Sequence, residues 1–416
     1  MTNIVFYFAL MAVFIAEAAV LCRVLPLQRL LAAEDRAGGR LLTVDGLRGV
    51  LAPSVFLHHA VLYFYFTQTR GWSEMPSNFY AQMGVLPVTL FFFVTGYLFW
   101  SKLMKRPMLG FGAFLKDRLG RLGGVYFVSC LLFFGLVAVA SGFHRQVSWG
   151  RLVFEAAAWF SFLGAGHDMN GVFDSKRLLG QVWTLREEWM FYLSLPFLGW
   201  FARRRVRLPV LLVGAAVFSV LVAHVTLRFS APTDYVWKML GDYAHFLFVT
   251  FSVGMIVAAT PVTEQMKAWA RGSTATLISV VLLAITVAVV PPEYGWLESS
   301  MLAVPFACVC FGNTWWGLLA SAPVRSLGRV SYSFYLLHIF ALQAGLEVLQ
   351  RFVAVGSLTP MQYWVFMTVC GMVGVLASYA SYQFLEHPFL KKAVRHKAET
   401  MSQQQQPQIL QAPLVS

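Results

Sequence analysis

The sequence predicts an all-α fold, a polytopic transmembrane helix bundle of about eleven spans with its N-terminus outside and its C-terminus inside. Three observations predict it. Of the 416 residues, 58% are hydrophobic and only 12% charged, whereas soluble domains carry about 25% charged residues. Apolar runs of roughly 20 residues, enough to cross a hydrocarbon core about 30 Å thick, recur from one end to the other. Between those runs the Lys and Arg residues alternate in density, 21 on one side against 8 on the other. Such a bias marks the cytoplasmic side and sets the N-out, C-in topology.

The first span, 3–22, has no Lys or Arg before Arg23, which separates it from a signal peptide. The others are expected at 47–66, 82–104, 123–142, 184–201, 208–226, 243–260, 274–291, 300–318, 330–349 and 363–385. Residues 152–165 are too short to cross and read as a re-entrant or interfacial segment. Residues 1–40 thus form an extra helix with a basic inner loop, 41–392 the membrane core, and 393–416 a Gln- and Pro-rich tail expected to be disordered. The net charge of +13 is accounted for by topology, so nucleic acid is not an expected partner. Cys22, Cys130, Cys308, Cys310 and Cys370 lie in or beside apolar spans, with no CxxC and no His at ligand spacing. Neither structural disulfides nor a bound metal is expected.

Ionisable side chains inside a span usually face a bundle interior or a water-filled cavity, and are functional candidates by default. The stretch "DGLRGVLAPSVFLHHA", 45–60, carries Asp45, Arg48, His58 and His59. Eleven helical steps separate Arg48 from His59, about 1100° of rotation, so the two differ by only about 20° around the axis and by about 16 Å along it. They share a face, with Arg48 at the inner boundary and His59 near mid-bilayer. Asp45 lies one turn before Arg48 and can pair with it. A desolvated imidazole at that depth stays neutral and can accept a proton. His58 points about 100° away and reads as a structural hydrogen-bonding residue.

In "QVWTLREEWMFYLSLPFL", 181–198, Arg186 and Glu187 read as a structural pair. Glu188 and Tyr192 share a face one turn apart, and Trp183 and Trp189 suit an interfacial belt. "SYSFYLLHIF", 331–340, brings Tyr332 and His338, which can line a polar cavity, among hydroxyls that glue membrane helices. In "LFFFVTGYLFW", 90–100, Thr95–Gly96 allows close approach to a helix or a ligand.

Taken in order, these stretches resemble the acyltransferase 3 family of membrane-bound O-acyltransferases, over about residues 41–390. "TVDGLRGVLAPSVFLHH" is similar to the family's "DGLRGxAAxxVxxxHH". "FFFVTGYLF" is similar to "FFVLSGFLI", with Thr95 where Ser is usual, and "WTLREEWMFYLSLP" to "WSLSVEEQFYLLWP", which lays the family's glutamate on Glu188. "LGRVSYSFYLLHIF" is similar to "LGxISYSLYLLHxP", and "YQFLEHPFLKK" to "YRFIEKPFRR", with Glu386 and Pro388. The resemblance implies a ten-helix core, multi-pass in a bacterial inner membrane. It would move an acyl group, commonly acetyl from acetyl-CoA, onto a hydroxyl of an extracytoplasmic glycan or glycolipid of the O-antigen or exopolysaccharide type. It carries the family's His to His59 and its Arg to Arg48. The span 3–22 is an addition to the family pattern. No SGNH-hydrolase-like outer domain follows the last span, so transfer is expected to be completed by the core alone or with a separate envelope-assembly partner.

On this reading His59 is the general base and Glu188 orients it or holds the acceptor. Arg48, with Asp45 paired to it, and Lys105, Arg118 and Arg121 receive acyl-CoA, because cationic side chains bind phosphate oxygens. Trp183, Tyr192, Tyr332 and His338 bind the acceptor, and the outer loop 143–182, with His167, Asp168, Asp174, Lys176 and Arg177, reads it. The rival reading is a transporter or flippase of a polysaccharide precursor, although the internal repeats common in transporters are not found. A non-catalytic scaffold is the third, and it leaves the polar groups without purpose.

Overall fold

A computed structural model describes residues 1–24, 41–69, 75–105, 110–162, 167–203 and 234–388. Among them there are helices and turns and no strand. The expected span 208–226, the basic stretch 25–40 and the tail 393–416 lie outside the described residues.

The helices are α1 (Ile4–Val24), α2 (Leu42–Thr69), α3 (Asn78–Lys105), α4 (Phe111–Ala140), α5 (Trp149–Phe160), α6 (Trp183–Arg203), α7 (Asp234–Phe246), α8 (Ser252–Ala259), α9 (Glu264–Arg271), α10 (Ser273–Val289), α11 (Trp296–Cys310), α12 (Ala322–Gln350) and α13 (Pro360–Ser381). A π turn, Leu247–Phe251, joins α7 to α8, and another, Tyr382–Glu386, extends α13. Seven spans among the described residues are long and apolar enough to cross a bilayer, and α9 with α10, bent by 64°, makes an eighth. The chain is a multi-pass membrane protein.

Three of the eleven expected spans account for the difference. One is 208–226. A second, 184–201, is helical as α6, but Arg186, Glu187 and Glu188 lower its apolar character. The third, 300–318, is shorter than expected, because α11 has 15 residues and stops at Cys310. Buried Asn313 ends it: its Oδ1 accepts from the Trp315 amide at 2.8 Å and from Thr276 Oγ1 at 3.1 Å, and its Nδ2 donates to Ala270 O at 2.5 Å. These bonds hold a turn in which Gly312 and Gly317 take positive φ. The segment 152–165 begins as α5, which leaves Trp149, Val153 and Phe154 exposed and turns Glu155 and Trp159 inward.

Lipid tails are as apolar as leucine, so membrane helices associate through close backbone packing and interhelical hydrogen bonds. The α2–α12 contact shows this. A Cβ on Gly49 would lie 1.9 Å from Val324 O and one on Gly328 1.8 Å from Asp45 O, while one on Gly46 would lie 1.9 Å from Leu319 O in the turn just before α12. Gly96 and Gly254 do the same for α3 and α8, each facing a backbone carbonyl of the other segment, Phe251 O and Phe93 O. The close approach expected at Thr95–Gly96 is therefore to a neighbouring helix. The added helix α1 is integral to the bundle: Phe14 is fully buried against Phe56 and Phe334, and Tyr7 Oη bonds Ser54 Oγ at 2.8 Å.

Candidate active site

Among the described residues, two cavities bring the ionisable side chains of the bundle together. The first, about 160 Å³, is lined by Arg48 from α2, Lys102 from α3, Arg118 and Arg121 from α4, and Arg329 from α12. Against these five cations stand two carboxylates, Glu188 of α6 and Glu386 after α13, together with Thr95, Tyr192, Tyr332 and Tyr335. The second, about 300 Å³, is lined by His58, His59, Tyr63, Arg177, Gln181, Trp183 and Tyr294.

His59 turns its ring into the second cavity, and buried His338 stands behind it, with Nε2 3.1 Å from His59 Nδ1. His338 Nδ1 is 2.9 Å from Phe334 O. A carbonyl only accepts, so the proton of His338 is on Nδ1 and its Nε2 is bare. That bare nitrogen accepts from His59 Nδ1–H, which leaves His59 Nε2 as the basic atom. Phe334 and Tyr335 flank the His338 ring, with centroids 5.7 and 6.2 Å away. The order of bonds, carbonyl to His338 to His59, fixes which nitrogen can take a proton.

His58 is held separately, its Nδ1 2.8 Å from Tyr80 O. Gly84 makes room for it, since a Cβ there would fall 2.5 Å from the ring. In the first cavity Glu188 accepts from Tyr192 Oη and, at 3.5 Å, from Thr95 Oγ1. Glu386 accepts from Ser333 Oγ, and Tyr332 Oη donates to Leu122 O at 2.8 Å.

The structure moves several of the sequence-based assignments. Glu188, expected beside the acceptor or His59, belongs to the cation-lined cavity. The cause is Ser175–Val182, a 3₁₀ stretch whose Gln181 bonds Leu336 O at 3.2 Å inside the bundle. The chain is already deep when α6 begins, so Glu188 and Tyr192 lie beyond the level of His59. Tyr332, expected to bind the acceptor, also lines the first cavity and not the one that holds His59. His338 lines neither cavity; it backs His59. Asp45 is buried with Oδ2 3.8 Å from Arg329 Nε and lines neither. Lys105 ends α3 exposed, a turn beyond the cavity that Lys102 lines. Arg48, Arg118 and Arg121 do line the first cavity and Trp183 the second. Arg186 and Glu187 form a pair at 2.7 Å, joined by Asp242 at 3.2 Å from Arg186.

Sequence reading missed Lys102, Arg329, Tyr335 and Val88. A signal for two of them existed: Arg329, Tyr332 and Tyr335 recur at three-residue spacing, a helical stripe. Val88 had none.

A cation-lined cavity thus adjoins one that holds a histidine with a defined basic nitrogen, and comparison with known proteins gives the class. The chain matches the acyltransferase 3 family model, an acyltransferase domain, over residues 41–382. It belongs to that family, and it is a membrane acyltransferase. "Protein 2 in picA locus" from Rhizobium radiobacter is 26% identical over 198 residues, 44% of this chain and 94% of that protein. No solved structure matches the chain.

Proposed function

We propose that the protein transfers an acyl group, acetyl in the first instance, from acyl-CoA to a hydroxyl of an extracytoplasmic glycan or glycolipid of the O-antigen or exopolysaccharide type, in a bacterial inner membrane. The observation that carries this reading is the pairing of a cation-lined cavity with an adjoining one that holds the basic nitrogen of His59. The excess of basic residues on one side supports a cytoplasmic cationic end, where acyl-CoA is made. At about 160 Å³ the first cavity is smaller than the roughly 300–1,000 Å³ that encloses a drug-sized ligand. It admits the thioester arm and leaves the nucleotide phosphates at its mouth, where Arg48, Arg118 and Arg121 meet them. Trp183 and Tyr294 give the second cavity an aromatic wall for a sugar ring.

In the reaction the acceptor hydroxyl gives its proton to His59 Nε2 as its oxygen attacks the thioester carbonyl. The C–O ester bond forms, the C–S bond breaks, and the departing thiolate takes the proton back, so ester and free CoA leave with His59 restored. The hydrogen bond from His59 Nδ1 to His338 holds the ring while it carries the extra proton.

The test is His59→Ala in purified, membrane-inserted protein, with CoA release from acetyl-CoA measured in the presence of surface glycan and the product read by mass spectrometry. Acylation is abolished while insertion is retained. Retained turnover would refute the assignment of the base.

A further inference from the structure

Val88 and Tyr335 are the two side chains that line both cavities. Three helices change sides at their level. Along α3, Gly84 and Val85 line the second cavity, while Phe91 and Thr95 line the first. Along α12, Ile339 faces the second cavity, and Tyr332 and Ser331 face the first. On α6 the change falls between Trp183 and Thr184.

The wall they make is stiff. Tyr335 Oη donates to Gln181 O at 3.0 Å and lies 2.9 Å from Thr184 Oγ1, so the ring is tethered at its far end to the start of α6. Val88 is 5% exposed, and a β-branched side chain on a helix has one strongly preferred rotamer. Neither residue carries charge, so the boundary between a cationic space and a histidine-bearing one is apolar on one side and a phenol ring on the other.

We infer that Val88 and Tyr335 form an acyl-selecting partition: the acyl group of the donor sits between them, and their size restricts transfer to short chains. The inference rests on the functional reading above, in which a thioester held by the cations of the first cavity meets His59 across this boundary. The sulfur stays on the cationic side and the carbonyl reaches the narrowing. Each added methylene of a longer acyl chain then meets Val88 on α3 or the ring of Tyr335. One methylene in a fitted apolar pocket changes specificity by roughly 10- to 200-fold.

The experiment compares kcat/KM for acetyl-CoA and butyryl-CoA with a fixed glycan acceptor, in the wild-type protein and in Val88→Ala, Val88→Ile and Tyr335→Phe. Binding of CoA itself, measured in detergent micelles, reports the first cavity independently. The wild type prefers acetyl. Val88→Ala moves the acetyl-to-butyryl ratio toward butyryl by about tenfold or more, and Val88→Ile moves it the other way. Tyr335→Phe keeps the ring but loses the tether, and shifts the ratio in the direction of Val88→Ala. A wild type that uses both donors equally, or ratios that stay put in all three variants, overturns the partition and leaves acyl transfer standing. A wild type with no acyl-CoA turnover overturns the functional reading and the partition together.

Discussion

The bond between His338 and His59 makes a quantitative prediction. His338 is fully buried and lines neither cavity, so replacing it touches neither donor nor acceptor. In His338→Leu the apolar volume is roughly kept, and His59 Nδ1–H loses the acceptor that stands 3.1 Å away. A buried donor left without its partner costs about 1–3 kcal/mol. The ring escapes part of that cost by turning or by moving its proton to Nε2, and either change removes the basic nitrogen from the second cavity. At 1.36 kcal/mol per decade the expected fall in kcat is about 5- to 150-fold. The KM for acyl-CoA is unchanged, since the cations are untouched. His338→Gln offers a carbonyl oxygen to the same proton and restores part of kcat, which general loosening of the core would not allow. The assay is steady-state CoA release at saturating acceptor. A kcat for His338→Leu within twofold of wild type, or a Gln variant no better than Leu, would refute the argument.

Other substitutions separate the two cavities. Arg48→Ala removes a charge-assisted phosphate contact of about 1.5–3 kcal/mol, and raises the KM for acyl-CoA roughly 10- to 150-fold; an unchanged donor dependence removes Arg48 from that site. Glu188→Gln alters the KM for acyl-CoA and leaves that for the glycan alone, because Glu188 shares its cavity with Arg48, Arg118 and Arg121; a selective change in acceptor KM would return Glu188 to the other side. Gly49→Ala drives a methyl toward Val324 O, where an ideal Cβ lies 1.9 Å away, and thermal unfolding in detergent registers a loss of about 1–3 kcal/mol or more. Gly135→Ala, with nothing within 4 Å, serves as the control and stays within about 0.5 kcal/mol.

Much of the architecture was legible because membrane spans announce themselves by length and apolarity. So was the stripe of Arg48 and His59, since both lie on one helix and the 3.6-residue repeat relates them directly. What the sequence hid depends on contacts between distant segments. His338 lies 279 residues from His59, and nothing local to either distinguishes a ligand-binding histidine from one that sets its neighbour's tautomer. The cavity that Glu188 lines was hidden for a different reason. The segment 143–182 reads as an outer loop, and nothing in the composition of Ser175–Val182 reveals that it folds as 3₁₀ turns inside the bundle. Arg329 falls just before the expected span 330–349 and so reads as a loop cation, whereas α12 begins at Ala322 and carries it two turns inside the helix, where it lines a cavity. The short α11 ends on Gly312 at positive φ, with the Asn313 amide bonded back to Cys308 O, and the Asn313 side chain takes the Trp315 amide that a continuing helix would have turned to its own backbone.

The division into two cavities also has a chemical consequence in this reading. A thioester held in a polar, cation-lined space is exposed to water, and a general base in the same space would activate that water as readily as an alcohol. Keeping His59 across Val88 and Tyr335 from the cations limits this hazard, because the carbonyl meets the base only at the narrowing, where a bound acceptor displaces water. Exclusion of water from a reacting centre is one way in which an enclosed site suppresses hydrolysis. The hydrogen-bonded chain behind His59 serves the same end. His338 and the Phe334 carbonyl occupy the rear of the ring with groups that are fully buried, so the remaining nitrogen faces the acceptor side alone. The charges that attract the donor and the nitrogen that activates the acceptor can then be strong in their own compartments without acting on the wrong partner.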